Sequence, residues 1–173
     1  TMKGLQADGM KYKGFIFFGI MKVGNEPFVI EYNCRLGDPE TEAILPRLKS
    51  DLLNLFEGVA TNTLGECDLY FDERCAATVM LVSDGYPEEY DKGKEIKGLE
   101  EITDSLIFHA GTKISGKENK LITNGGRVIA LTSLAYRMED ATYASLKNAG
   151  LVRYSNKYYR KDIGEDLMKF NSK

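Results

Sequence analysis

The sequence predicts an α+β fold in two pieces, residues 1–70 and 74–173. Three observations lead there. The 173 residues are 43% hydrophobic and 28% charged, a balance that favours a packed core over disorder. Short apolar, β-branched and aromatic runs alternate with stretches of helical spacing. A polar connection, Asp68–Arg74, separates a hairpin-plus-helix beginning from a strand-rich remainder.

Taken in order, Thr1–Gly9 reads as the end of a helix, and Thr1 as the interior of a domain rather than a start. Gly14–Val23 is rich in aromatic and branched residues, as strands are. Gly24-Asn25-Glu26 supplies a turn, and Phe28–Asn33 is the returning strand, with Pro27 at its start where the missing N–H is tolerated. Phe28, Ile30 and Tyr32 are expected on its core face. Asp38-Pro39 reads as a helix opening, with Asp38 as cap and Pro39 in the first helical position. Pro46 interrupts that helix. A second begins near Ser50, carries Leu52, Leu53, Phe56, Val59 and Ala60 at helical spacing, and ends around Asn62–Gly65. This first piece is too small to bury a core well by itself.

The second piece opens on Cys75–Ser83, a continuous apolar run of the kind buried on both faces. Asp84-Gly85-Tyr86-Pro87 is a turn signal. Leu106–Lys113 and Arg127–Leu134 are strands, with a turn at Ser115–Asn119. Glu139–Asn148 is helical, and Gly150 is its expected C-terminal stop.

Composition narrows function. The net charge is −3 and Lys and Arg are scattered, which excludes the basic stripe of a nucleic-acid binder. No apolar run approaches the ~18–20 residues needed to cross a bilayer. Cys34, Cys67 and Cys75 are odd in number and fit no zinc spacing, so they are expected to be reduced thiols in a cytoplasmic protein. With His109 as the single histidine, a His/Cys metal cage is nearly excluded. Small-molecule chemistry is the default.

Glu31, Asn33 and Arg35 are spaced by two, so on an extended strand they share a face. A carboxylate and an amide oxygen are hard ligands suited to Mg²⁺, which takes its other ligands from water and nucleotide phosphates. A guanidinium one step on can grip a phosphoryl oxygen. The same spacing also fits a strand with a solvated polar face, and pattern alone does not choose between the two. Gly125-Gly126-Arg127 reads either as glycines at positive φ presenting backbone N–H groups to a phosphate that the arginine grips, or as a plain turn with an exposed arginine. His109 and Lys113, four apart on one expected strand, either line a cleft or are structural. Gly111-Thr112-Lys113 lacks the spacing of a P-loop.

The segment Glu31–Thr41 (EYNCRLGDPET) resembles the signature of the phosphoribosylamine–glycine ligase (glycinamide ribonucleotide synthetase) family, which belongs to the ATP-grasp superfamily. Tyr12-Lys13-Gly14 with Gly19-Ile20-Met21, His109–Lys113, Thr123–Val128 and Tyr159–Gly164 resemble further blocks of that family, in the same order. The resemblance implies that residues 1–70 are the C-terminal part of an ATP-grasp domain and residues 74–173 the family's C-terminal domain. It implies a ligase using ATP, glycine and 5-phosphoribosylamine, with Mg²⁺ or Mn²⁺ held by Glu31 and Asn33. Arg35 is then the catalytic contact to the acyl or γ-phosphate. Gly37, Asp38 and Glu40 shape the adjoining substrate loop, Asp38 serving either there or only as a helix cap. Gly125, Gly126 and Arg127, with Lys113 and His109, are candidates for the phosphate of phosphoribosylamine. The missing partners are the N-terminal lobes of the same enzyme, so the chain alone is expected neither to bind ATP tightly nor to turn over. Two alternatives remain: another ATP-grasp carboxylate–amine ligase, or a non-catalytic module derived from one.

Overall fold

Gly24, at φ +61°, lets the chain reverse within two residues and pairs two strands into an antiparallel ribbon. The computed structural model describes residues 1–116 and 119–171, and these divide into two units, Thr1–Thr41 with Leu48–Phe71, and Glu42–Arg47 with the rest from Asp72 on. The first unit holds a short helix α1 (Met2–Ala7) and the ribbon, β1 (Phe17–Val23) and β2 (Glu26–Asn33). A bulge sets two residues of β2 against one step of β1: Ile20 pairs with Val29 and Gly19 with Glu31, leaving Ile30 over.

Phe28, Ile30 and Tyr32 do not face a core; they are 56%, 63% and 56% exposed. Alternation predicted the pleat but assumed a second layer, and both faces of this two-stranded ribbon stay open, with Ile20, Met21 and Val29 also exposed. In this unit the buried residues are Gly37 and Gly58, neither of which carries a side chain.

The helix expected from Asp38 starts later. α2 (Thr41–Ile44) begins where the Thr41 N–H donates to the Gly37 carbonyl at 3.0 Å, closing over a turn at residues 38–40 that contains a cis Asp38-Pro39 bond. Pro39 therefore sits in the turn, not in the first helical position. A 3-10 turn, Leu45–Arg47, carries Pro46. The next helix, α3 (Leu52–Thr61), matches expectation closely: Asp51 accepts from the Leu53 and Asn54 N–H groups at 2.8 and 3.1 Å, and Asn62 ends it in the left-handed region. Lys13 Nζ also donates to the Ala60 carbonyl (2.6 Å), placing a cation at the negative end of the helix.

The second unit is a four-stranded antiparallel sheet with a helix on it. Its strands are β3 (Cys75–Ser83), β4 (Leu106–His109), β7 (Arg127–Ala135) and β8 (Lys157–Tyr158), in the order β4-β7-β3-β8. A separate hairpin joins β5 (Thr112–Ile114) to β6 (Leu121–Thr123). The core gathers Val79, Leu81, Ile96, Val128, Ile129, Leu131, Ala149 and Val152. The strand covered on both faces is β7, buried from Val128 to Ser133, and not β3, where buried Ala77, Val79, Leu81 and Ser83 alternate with half-buried neighbours. An apolar run fixes a strand but not how many of its faces are covered.

The single strand expected over Leu106–Lys113 is two, in different sheets. Gly111 breaks it: a Cβ there would lie 2.6 Å from both the Gly125 Cα and the Arg127 carbonyl oxygen. Residues Lys117 and Glu118 of the expected Ser115–Asn119 turn lie outside the described residues.

α4 (Met138–Leu151) packs on β3 and β7 with an unusual face: Ala141, Thr142, Ser145, Asn148 and Ala149 are buried. Ser145 Oγ donates to the Ala77 carbonyl (2.8 Å) and lies 2.9 Å from Ser133 Oγ, which meets Ser105 Oγ at 2.6 Å. Asn148 Nδ2 donates to Asp104 Oδ1 and Ser105 Oγ, both at 2.6 Å. That bond, followed by the Lys147 charge, lowers the Asp104 carboxyl below its ordinary value.

Gly150 does not stop α4, which runs through it to Leu151. The free carbonyls are met by side chains instead: Lys157 Nζ donates to Ala149 O (2.7 Å) and Val152 O (2.5 Å), and Arg153 Nη1 to Leu151 O (3.1 Å). Burial, then the Arg153 charge, pushes the Lys157 ammonium below the usual lysine value. A last helix, α5, spans Glu165–Asn171, a segment for which the sequence pattern predicts no helix.

Candidate functional site

β2 carries Glu31 and Asn33 out of the ribbon on one side. The Asn33 amide nitrogen donates to Glu31 Oε1 at 3.1 Å, so the two side chains converge at the end of the strand. Glu31 is exposed and Asn33 half-buried, so the carboxylate and the amide stand together at a surface that solvent reaches. Such a pair supplies two hard oxygen donors, fitting a Mg²⁺ or Mn²⁺ ion that completes its shell with water and phosphate. Among the described residues there is no cluster of three His, Cys, Asp or Glu side chains placed for a metal.

Arg35 lies past the strand end. The ladder stops at Asn33, and residues 34 and 35 form a bend, so strand alternation covers Glu31 and Asn33 but does not extend to Arg35. Its Nη1 donates to the Leu36 carbonyl (2.9 Å), leaving further N–H groups of the fork for an oxyanion. The exit of the chain is braced by the Tyr12 hydroxyl, which donates to Phe15 O (2.7 Å) with Cys34 O 3.1 Å away.

The next turn is built around Gly37. It is buried, and a Cβ there would stand 3.0 Å from Glu40 Cδ and 3.4 Å from Phe17 Cζ. Its carbonyl accepts from Thr41 Oγ1 at 2.6 Å as well as from the Thr41 N–H. Glu40 thus folds back over Gly37, while Asp38 is exposed in the turn and, since α2 starts at Thr41, is not the cap of a helix that opens at Pro39.

In the second unit the blocks 109–113 and 123–128 come together. The Gly111 N–H donates to Arg127 O (2.8 Å), the Asn124 N–H to Gly111 O (2.7 Å), and Thr112 pairs with Thr123. The glycines serve packing. Neither Gly125 nor Gly126 has positive φ, so the expected positive-φ arrangement is absent. Gly125 touches the backbone of Gly111, and a Cβ on Gly126 would lie 2.6 Å from Tyr86 Cε2. The sequence places Tyr86 in a turn; its ring also carries the Arg127 guanidinium at 5.8 Å.

His109 and Lys113 do not share a strand, because Gly111 separates β4 from β5. Both are exposed, and His109 Nδ1 lies 3.1 Å from Thr112 Oγ1. The block 159–164 supports the core instead, through Tyr159 and Ile163, and its Arg160 pairs with Asp162 at 2.6 Å. No helix among the described residues is long and apolar enough to cross a membrane.

Comparison with known proteins adds a family to this geometry. The model of the phosphoribosylglycinamide synthetase C domain matches residues 76–166, and that of the ATP-grasp (A) domain of the same synthetase matches residues 1–41. The phosphoribosylamine–glycine ligase of Fusobacterium nucleatum is 40% identical over 168 residues, covering 95% of this chain and 39% of the relative. That of Haemophilus influenzae is 41% identical over 167 residues, covering 95% and 38%. The trifunctional purine biosynthetic protein adenosine-3 of Gallus gallus is 37% identical over 175 residues, covering 99% and 17%. The crystal structure of phosphoribosylamine–glycine ligase from Thermotoga maritima superposes with a TM-score of 0.74 at 34% identity, over 94% of this chain and 40% of that one. The chain spans about 39% of the length of the first of these ligases.

Proposed function

The chain belongs to the phosphoribosylglycinamide synthetase family, and from that premise we propose that it is the C-terminal portion of a cytoplasmic ligase joining glycine to 5-phosphoribosylamine. ATP is cleaved to ADP and phosphate, and the product is glycinamide ribonucleotide, an intermediate of purine synthesis. The remaining ATP-grasp lobe completes the nucleotide site.

In this reading a glycine carboxylate oxygen takes the γ-phosphoryl group of ATP, giving glycyl phosphate and ADP. The amine of phosphoribosylamine then attacks the acyl carbon, the C–N bond forms, phosphate leaves with the C–O electron pair, and the amine gives up a proton. Glu31 and Asn33 hold Mg²⁺ or Mn²⁺, which when bound neutralises charge on the phosphates. Arg35 orients the transferred phosphoryl group through its free N–H donors. Gly37, Asp38 and Glu40 set the shape of the loop beside it. In the second unit, Arg127 and Lys113, with His109, supply positive or donor groups for the phosphate of phosphoribosylamine around the Gly125-Gly126 bend. Rate enhancement comes from positioning and charge neutralisation rather than from a general-base histidine.

The observation that carries this reading is the 3.1 Å pairing of Glu31 with Asn33, inside the segment matched by the ATP-grasp domain. In the complete ligase, Glu31→Ala or Arg35→Ala is expected to lower turnover on the order of 10²–10³-fold with an unchanged melting profile. Near-normal activity in either variant refutes the assignment.

A further inference from the structure

Gly19 stands directly across the ribbon from Glu31. A glycine inside a strand otherwise made of Phe17, Phe18, Ile20, Met21, Lys22 and Val23 weakens the strand, so it calls for a cause. Backbone conformation is not the cause, because Gly19 has no positive φ and any residue could adopt its geometry. Space is. A Cβ on Gly19 would lie 2.8 Å from Glu31 Cγ, and 3.6 Å from both Glu31 Oε1 and the Glu31 backbone nitrogen. The Glu31 side chain thus lies flat across the Cα of Gly19.

The atom that would be struck matters. Cγ is the first atom beyond Cβ, so it cannot yield by a flick of the side-chain tip. It moves only if χ1 rotates away from its staggered value or the strand backbone shifts, and either displaces the carboxylate relative to Asn33. The neighbouring cross-strand pair shows what a side chain does at such a position: Phe18 meets Tyr32 ring to ring at 5.3 Å.

We propose that Gly19 is a positioning residue for the metal-binding carboxylate, its missing side chain forming the floor on which Glu31 rests in register with Asn33. The inference rests on the reading of Glu31 as a metal ligand given above.

The test is a double-mutant cycle in the complete ligase, with Gly19→Ala, Glu31→Ala and the two combined. Two readouts are taken: the unfolding midpoint without metal, and Mn²⁺ binding followed by electron paramagnetic resonance in the presence of ADP. Gly19→Ala is expected to lower the midpoint when Glu31 is present and not when Glu31→Ala has removed the Cγ. It is expected to weaken Mn²⁺ binding about tenfold or more when Glu31 is intact, and to add nothing on top of Glu31→Ala. Equal destabilisation in both backgrounds overturns the inference, as does Mn²⁺ binding that falls with Glu31→Ala and not with Gly19→Ala. If Glu31→Ala itself leaves Mn²⁺ binding unchanged, the metal reading fails and the inference falls with it. Should Gly19→Ala not yield folded protein, recovery of folding in the combined variant supports the proposed contact, and failure to recover overturns it.

Discussion

Ser145→Ala separates two accounts of how α4 is held, because they predict opposite signs. Ser145 is 0% exposed and makes two hydrogen bonds, to the Ala77 carbonyl and to Ser133 Oγ, at 2.8 and 2.9 Å. Each is worth roughly 1 kcal/mol net, so their loss costs about 2 kcal/mol. Ser133 keeps its 2.6 Å contact with Ser105, which limits the added penalty of an orphaned hydroxyl. Alanine returns up to about 0.5 kcal/mol through helix propensity. The net loss is about 1.5–2 kcal/mol, or a urea midpoint lower by about 0.5–2 M for an m-value of about 1–3 kcal/mol/M. If the face acted simply as apolar packing, removing a buried hydroxyl and improving the helix former would raise the midpoint. Urea denaturation followed by far-ultraviolet circular dichroism decides it, with the m-value checked for constancy. A midpoint at or above that of the parent refutes the hydrogen-bonded seam.

Gly150→Ala should stabilise by about 0.5–1 kcal/mol, because Gly150 lies within α4 and nothing stands within 4 Å of a Cβ there; destabilisation in the same urea assay would point to a helix stop after all. Gly126→Ala should cost about 1–3 kcal/mol by overpacking against the Tyr86 ring, and thermal melts should show the loss shrinking when Tyr86→Ala is added. Asp104 has a folded pKa below its unfolded one, held there first by Asn148, so its contribution is present above the unfolded value and lost as pH falls below about 4. Asn148→Ala should flatten the acid limb of the stability curve below the unfolded aspartate value of about 4, and an unchanged limb would exclude that contribution.

The parts of the fold written in local chemistry were legible in the sequence. Asp51 and Asn62 bracket α3 because a carboxylate cap and a left-handed terminus depend on neighbours within four residues. β3 runs from Cys75 to Ser83 as its unbroken apolar run predicts. That Glu31 and Asn33 share a face follows from strand alternation, which stops short of Arg35 because the strand ends at Asn33. What escaped depends on partners distant in sequence. The break at Gly111 is imposed by the backbone of Gly125 and Arg127. The extension of α4 through Gly150 depends on Lys157 and Arg153 reaching back to its carbonyls. The role of Gly19 could have been suspected from its isolation among large side chains, but the residue opposite is set by the bulge, which shifts the register by one.

The ribbon has a practical consequence. Phe28, Val29, Ile30 and Tyr32 lie successively on one exposed strand, with Ile20, Met21 and Val23 on the other. Two hydrogen-bonding edges and greasy faces make a template onto which a second molecule can zip. Solutions of this polypeptide in isolation are therefore expected to turn cloudy as concentration rises, and charged replacements at the ribbon, away from Glu31 and Asn33, are the natural way to keep it dispersed for study.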